Sequence, residues 1–221
     1  FDHYTRFGDP GFVYGVALAK TAGRTTLRFA NADVLPFQFG SFAENVSRYL
    51  EEVTELADEM REETERENRL IRDRMYELAA DPTQTYHPPE SKEPVPYLNF
   101  APVKNALAEL EGASKAYDQA LATRMAGGGL PASRAAELNR VLMSTERLMT
   151  RDEGLPRRPW FRHQIYAPGL YTGYGVKTLP GIREAIEERK WVEAANQMEY
   201  AAEALRRVTR AVEQATDLLK G

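Results

Sequence analysis

The chain has 221 residues, 43% of them hydrophobic and 28% charged, with 29 basic against 33 acidic side chains and a formal net charge of −4. This is globular composition with room for one sizeable core, and its interleaved charges leave no basic footprint for nucleic acid as a partner. The absence of cysteine excludes disulfides, thiolate metal sites and a cysteine nucleophile, and no apolar run approaches the ~18 residues of a membrane span.

From Phe12 to Asp33 the apolar residues Phe12, Val16, Ala19, Ala22, Leu27 and Ala30 fall at helical spacing, although Gly15, Gly23 and the Thr25-Thr26 pair weaken the pattern. The chain opens on Phe1 and shows no signal peptide, as expected of a processed or excised polypeptide. A second helix is predicted to start at Ser41, which stands at capping-box distance from Glu44. Its buried face is Phe42, Val46, Tyr49, Leu50, Val53, Leu56 and Met60. The stripe dissolves into charge from Arg61 to Arg69 and resumes at Leu70, Ile71, Met75 and Leu78. This suits a long helix whose middle or far half projects into solvent or meets a partner.

Prolines 82, 88, 89, 94 and 96 forbid regular structure over 81–97, because each fixes φ and lacks a backbone donor. Asn99 is placed to cap the next helix, with Phe100, Val103, Leu107, Leu110, Tyr117 and Leu121 on its inner face and Gly127 to Gly129 as its stop. Pro131 suits the start of a helix carrying Leu138, Val141, Leu142, Leu148 and Met149. Residues 152–181 are rich in proline, glycine and aromatics, and longer than an ordinary connection. Pro180 then opens a short helix through Glu188. A final helix from about Lys190 to Leu219 buries Trp191, Ala195, Met198, Ala202, Leu205, Val208, Val212 and Leu219. The fold class predicted is all-α, an antiparallel four-helix-bundle-like domain with a long irregular loop before the last helices.

Catalytic motifs are lacking. His3, His87 and His163 have no glutamate three residues before them, as a di-metal carboxylate bundle would need. HExxH and GxSxG are absent, and the three glycines are not followed by Lys-Ser/Thr. No catalytic residue, metal ligand or cofactor is therefore assigned within the chain. The dense cluster from Trp160 to Pro168 has two readings: a surface that contributes to a substrate pocket, or a loop pinned by aromatic anchors with Arg162 and His163 bonded to backbone.

That cluster also carries a resemblance. Gly154-Leu155-Pro156, Arg158-Pro159, Arg162-His163, Ile165-Tyr166-Ala167-Pro168 and Pro180-Gly181-Ile182 resemble the C-terminal region of the glutamate carboxypeptidase and transferrin-receptor family. Asp9-Pro10, Ala30-Asn31 and Val34-Leu35-Pro36-Phe37 look like that family's last helix before its dimerisation bundle. The resemblance implies a homodimer-forming helical domain over 38–221, preceded at 1–37 by the edge of the protease domain or a first bundle helix. The parent would add a protease domain with two zinc ions and an inserted apical domain, act on peptides, and lie outside the cytoplasm, periplasmic or secreted. Its last metal ligand would precede Phe1. The family's substrate-binding Lys-Tyr pair, on the loop after Tyr-Ala-Pro, falls on Gly173 and Tyr174. Tyr174 is thus an expected substrate contact, and Lys177 the nearby cation that could replace the missing lysine. The alternatives are the dimerisation domain of a non-catalytic, transferrin-receptor-like relative, a stand-alone helical binding module, and an independent enzyme built around His163, Tyr166 and Tyr174.

Overall fold

The computed structural model describes residues 1–221. It contains helices α1 (Val13–Ala30), α2 (Phe39–Arg72), α3 (Met75–Ala79), α4 (Ala101–Ala126), α5 (Ala132–Leu148), α6 (Pro180–Glu187) and α7 (Trp191–Lys220). Two short antiparallel strands, β1 (Tyr166–Pro168) and β2 (Val176–Thr178), pair Tyr166 with Thr178 and Pro168 with Val176. The architecture is the expected all-α one. No helix is long and apolar enough to cross a membrane.

The four long helices α2, α4, α5 and α7 alternate in direction along the chain. Gly40 near the start of α2 lies against Asp118 near the end of α4, so these two are antiparallel. Arg207 of α7 donates to the Leu148 carbonyl at the end of α5 (2.8 Å), while Arg134 near the start of α5 lies beside Gly221. Helices α4 and α7 run parallel: Glu109 faces Arg206 at 3.9 Å, and Thr123 and Arg124 share a groove with Leu219 and Lys220. In an up-down-up-down bundle these two are diagonal partners, yet their contact is the most extensive in the molecule. Side-chain size explains it. Ala106 and Ala113 on α4, and Ala194, Ala201, Ala202, Ala204, Ala211 and Ala215 on α7, are all buried, and helix separation is set by the side chains between the axes.

A single apolar core joins Phe39, Val46, Leu50 and Val53 of α2, Val103, Leu107, Leu110 and Tyr117 of α4, Leu138 and Leu142 of α5, Ile182 and Ile186 of α6, and the inner face of α7. Each buried Leu, Ile or Val contributes about 1.5–3 kcal/mol relative to exposure. The helix ends are set partly as expected. Asn99 accepts the Ala101 amide (3.0 Å), and Pro131 stands just before α5. Ser41 does not cap α2. The helix starts two residues earlier, at Phe39, whose ring is buried edge-on against Tyr117 (5.2 Å, 83°), and Ser41 and Glu44 lie on its exposed side. On α7 the buried alanine is Ala194 and Ala195 faces out.

The polar middle of α2 grips the proline-rich segment. Arg61 donates to the Pro96 carbonyl (3.2 Å), and Asn68 bonds both backbone groups of Lys92. Thr64, 2% exposed, accepts from Arg189, which also donates to the Glu93 carbonyl (2.9 Å). Beyond Arg72 the chain turns at Arg74, held at φ 54°, and α3 leaves Leu78 exposed.

Helix α1 stands apart. It has no buried residue, and it starts where the Asp9 carboxylate accepts the amides of Tyr14 (2.8 Å) and Gly15 (2.7 Å). Phe7, Val13, Tyr14, Leu18 and Leu27 are among its neighbourhood's exposed apolar residues. Contact with the bundle resumes after it, where Asn139 of α5 accepts the Leu35 amide and donates to the Asp33 carbonyl, both at 2.9 Å. Val34, Leu35 and Phe37 pack against the core.

Candidate functional site: the aromatic hairpin

The segment between α5 and α6 folds back on itself before it reaches the hairpin. The Arg151 amide donates to the Arg162 carbonyl (3.0 Å), Leu155 to Phe161 (2.8 Å) and Gln164 to Met149 (2.9 Å). Gly154, at φ +68°, makes this possible, since a β-carbon there would lie 2.2 Å from the Pro159 carbonyl oxygen. Trp160 is 70% exposed and anchors nothing, whereas Leu155, Arg158, Gln164, Ile165, Ala167 and Leu179 are buried. Arg162 turns to Asp152, whereas His163 does bond backbone as one of the two sequence readings required.

The Leu179 amide donates to the Ile165 carbonyl (2.7 Å) and closes the base of the β1–β2 hairpin. At its tip the Gly169 amide donates to Gly175 (2.9 Å), and both the Thr172 hydroxyl and the Gly175 amide lie within the same turn. Gly169 has no room for a β-carbon, which would lie 2.2 Å from Thr172 Oγ1. Gly173 adopts φ +61°, a conformation costly for a side-chain-bearing residue. The tip thus has a defined backbone, yet every residue from Tyr171 to Val176 is exposed and Tyr174 is wholly so. The bundle's principal grooves, including those between α4 and α7 and between α2 and α4, are lined by none of residues 169–177.

Three carboxylates hold the hairpin to the helices, Glu146, Glu184 and Glu187, and the first two hold β1 and its exit. On one side Glu146 of α5 accepts the Tyr166 hydroxyl and lies 3.4 Å from His163 Nε2. His163 Nδ1 accepts the amides of Ile165 and Tyr166, each at 3.2 Å, so the ring proton belongs on Nε2. The hydrogen bond to Glu146, followed by burial, pushes the Tyr166 phenol up to about 12. Burial pulls the His163 imidazole below its ordinary value, against the opposing effect of Glu146. On the other side Glu184 of α6, 4% exposed, accepts the Leu170 amide (2.8 Å) and pairs with buried Arg158 (2.8 Å).

Of the residues expected at a substrate site, Tyr174 and Lys177 both lie on this hairpin, but they are directed differently. Tyr174 projects outward from the tip, while the Lys177 amine is engaged by Glu187 of α6. The donors present do not fit a two-zinc centre. No group of three or more His, Asp or Glu side chains is arranged around a common point. His3 and His87 are exposed, and the Nδ1 of His163 is taken by the amides of Ile165 and Tyr166.

Glu146 and Glu184 escape a sequence search because no spacing rule links them to their partners. Arg158 and Glu184 are 26 positions apart. The available signal is that Glu184 sits among Ile182, Ala185 and Ile186, where a short amphipathic helix has little exposed surface.

Comparison with known proteins places this geometry in context. Residues 98–220, more than half of the chain, match the family described as the transferrin receptor-like dimerisation domain. The chain is similar to the probable glutamate carboxypeptidase LAMP1 of Arabidopsis thaliana, 29% identical over 100% of this chain and 27% of that protein. It is similar to a probable glutamate carboxypeptidase of Arthroderma benhamiae, 25% identical over 90% of this chain and 23% of the relative. The aminopeptidase NAALADL1 of Rattus norvegicus is 22% identical over 99% of this chain and 26% of the relative. The chain spans about a quarter of the length of these curated relatives.

Proposed function

The chain belongs to the transferrin receptor-like dimerisation domain family, and from that premise we propose that it is the C-terminal homodimerisation domain of a zinc-dependent exopeptidase to which it also lends part of the substrate pocket. The relatives' names support a peptidase parent. The zinc ions belong to a protease domain elsewhere in that parent, where they would polarise the scissile carbonyl and activate water; the residues of this chain bind no metal and supply no acid or base. An apical domain and an extracytoplasmic location form part of the same reading.

One observation carries the pocket assignment: the hairpin tip is ordered through its own hydrogen bonds, yet Tyr174 is wholly exposed, with no surface of this chain packed over it. An aromatic side chain held out in this way is suited to complete a cavity whose other walls come from another domain. Tyr174 supplies a hydroxyl and a ring face to a peptide, and Lys177, farther along the same hairpin, has its charge shared by Glu187. Gly173 offers no cation, so recognition of a glutamate side chain does not follow from this loop. Exposed α1 is the complementary surface through which the protease domain continues into the bundle.

The test is Tyr174→Ala in the full-length protein, assayed on dipeptides with free and with blocked amino ends. KM should rise while bound metal stays constant. Unchanged kinetics on every substrate cleaved would overturn the assignment.

A further inference from the structure

We propose that Glu184 is a positioning residue for the hairpin tip, setting where Tyr174 stands through the Leu170 amide; this rests on the reading that Tyr174 meets the substrate. The bonds that define the tip itself run between Gly169, Thr172 and Gly175, and so fix its shape but not its place on the domain. The buried link from tip to helices is Glu184 Oε1, which accepts the Leu170 N–H at 2.8 Å, at the point where the chain leaves β1. The other two ties are to the strands and not to the turn: Glu146 holds Tyr166 in β1, and Glu187 holds Lys177 in β2 at a partly exposed site.

Stability alone gives a weak account of this carboxylate. Arg158 and Glu184 are 1% and 4% exposed, and Arg158 Nη1 lies 3.0 Å and 2.8 Å from the two carboxylate oxygens. Taking both charges out of water is costly, and apolar pairs of similar volume commonly serve stability as well or better. The guanidinium is also poorly used, since its Nε and Nη2 meet no protein acceptor although buried. What an apolar pair cannot supply is a directional acceptor for the Leu170 amide. Arg158 orients that acceptor: it approaches Glu184 from the Gly154–Pro159 turn, while α6 fixes the carboxylate from below. One buried carboxylate therefore joins three segments: the turn, the helix and the hairpin tip.

The experiment uses the full-length protein and the dipeptide substrates named above, with three variants. Arg158→Met/Glu184→Leu removes the acceptor without leaving a buried charge, so its melting temperature should stay near that of the parent. Its KM should rise about 10-fold, the factor that a lost hydrogen bond to a charged group sets, with kcat little changed. Arg158→Met/Glu184→Gln keeps an oxygen that can accept the Leu170 amide and should restore KM to within about 2-fold; failure of this rescue in a folded protein would count against the mechanism. In a Tyr174→Ala background, the Met/Leu pair should add less than about 2-fold, because both changes act through one contact. Full additivity, or an unaltered KM in the Met/Leu variant, would overturn the proposal. Amide exchange gives a readout independent of substrate: Tyr171–Gly175 should exchange faster in the Met/Leu variant, and unchanged protection would refute the tether. If exchange rises while Tyr174→Ala leaves KM unchanged, the pocket reading fails and the tether stands.

Discussion

Asn68 on α2 forms a two-way hydrogen bond with the backbone of Lys92: its Nδ2 donates to the Lys92 carbonyl at 2.7 Å, and its Oδ1 accepts the Lys92 amide at 2.9 Å. A side-chain amide thereby substitutes for a neighbouring strand, which a proline-rich segment cannot itself recruit. The Lys92 amine adds an ion pair with Glu67 (2.9 Å), a contact that holds the Glu67 carboxyl below its usual range. Replacing Asn68 by Ala should lower stability by about 1 kcal/mol, the value of an ordinary hydrogen bond at a partly exposed site. The sharper readout is limited proteolysis, which should cut within 81–97 several times faster in the variant. Equal cleavage rates would show that Arg61 and Arg189 suffice to hold the segment.

Asn139 repeats this device at Asp33 and Leu35, and the pair shows what the sequence leaves illegible. The bundle itself was readable, because Val46, Leu50 and Val53, or Leu138 and Leu142, recur at a spacing only a buried helix face explains. The charged stretch Arg61–Arg69 read as solvated or partner-facing because its contacts are to backbone groups some 24 to 35 positions away, which leave no periodic trace. Ser41 misled for a related reason. A local capping pattern was overridden by the burial of Phe39 against Tyr117, a tertiary gain that no local rule records. The site was legible only as a cluster of unusual residues. Its buried organisers, Arg158 and Glu184, have the residue types of an ordinary surface pair.

Acidification should loosen the hairpin base through His163. Its Nδ1 accepts two amides and can be protonated only by losing both, and burial already holds its pKa below the ordinary value. With the folded value depressed below an unfolded one of about 6.5, the unfolded chain binds more protons in that interval. The resulting stability is present above the unfolded value and is lost as pH falls through the folded one. Melting temperature should therefore decline between pH 7 and 5 more steeply in the parent than in His163→Gln. Parallel pH profiles would show that the imidazole does not titrate with unfolding.

Oligomeric state gives a direct check on the family assignment. Light scattering at high concentration should give about twice the chain mass of 25.0 kDa, and dilution should shift it toward one chain. The exposed apolar residues around α1 are expected to promote higher association as well, so Leu18→Lys and Leu27→Lys together should sharpen the distribution without removing the dimer. A strict monomer for both proteins at every concentration would contradict homodimerisation by this domain.

Tyr117 offers a test of how the core tolerates polarity. Its side chain is fully buried on α4, edge-on to Phe39, and its hydroxyl meets no protein hydrogen-bond partner. Burial, with a smaller effect of Asp118, pushes the phenol up to about 12, so it remains neutral through the physiological range. An unsatisfied buried hydroxyl costs about 1–3 kcal/mol, whereas the ring contributes the packing. Tyr117→Phe should accordingly leave stability unchanged or raise it by up to about 1 kcal/mol. Tyr117→Ala should cost about 3–5 kcal/mol, because a cavity would open where the ring now packs against Phe39 between α2 and α4. Urea denaturation of the two variants separates these contributions. A loss of more than about 1 kcal/mol in Tyr117→Phe would mean that the hydroxyl is satisfied after all, through a buried water between α2 and α4.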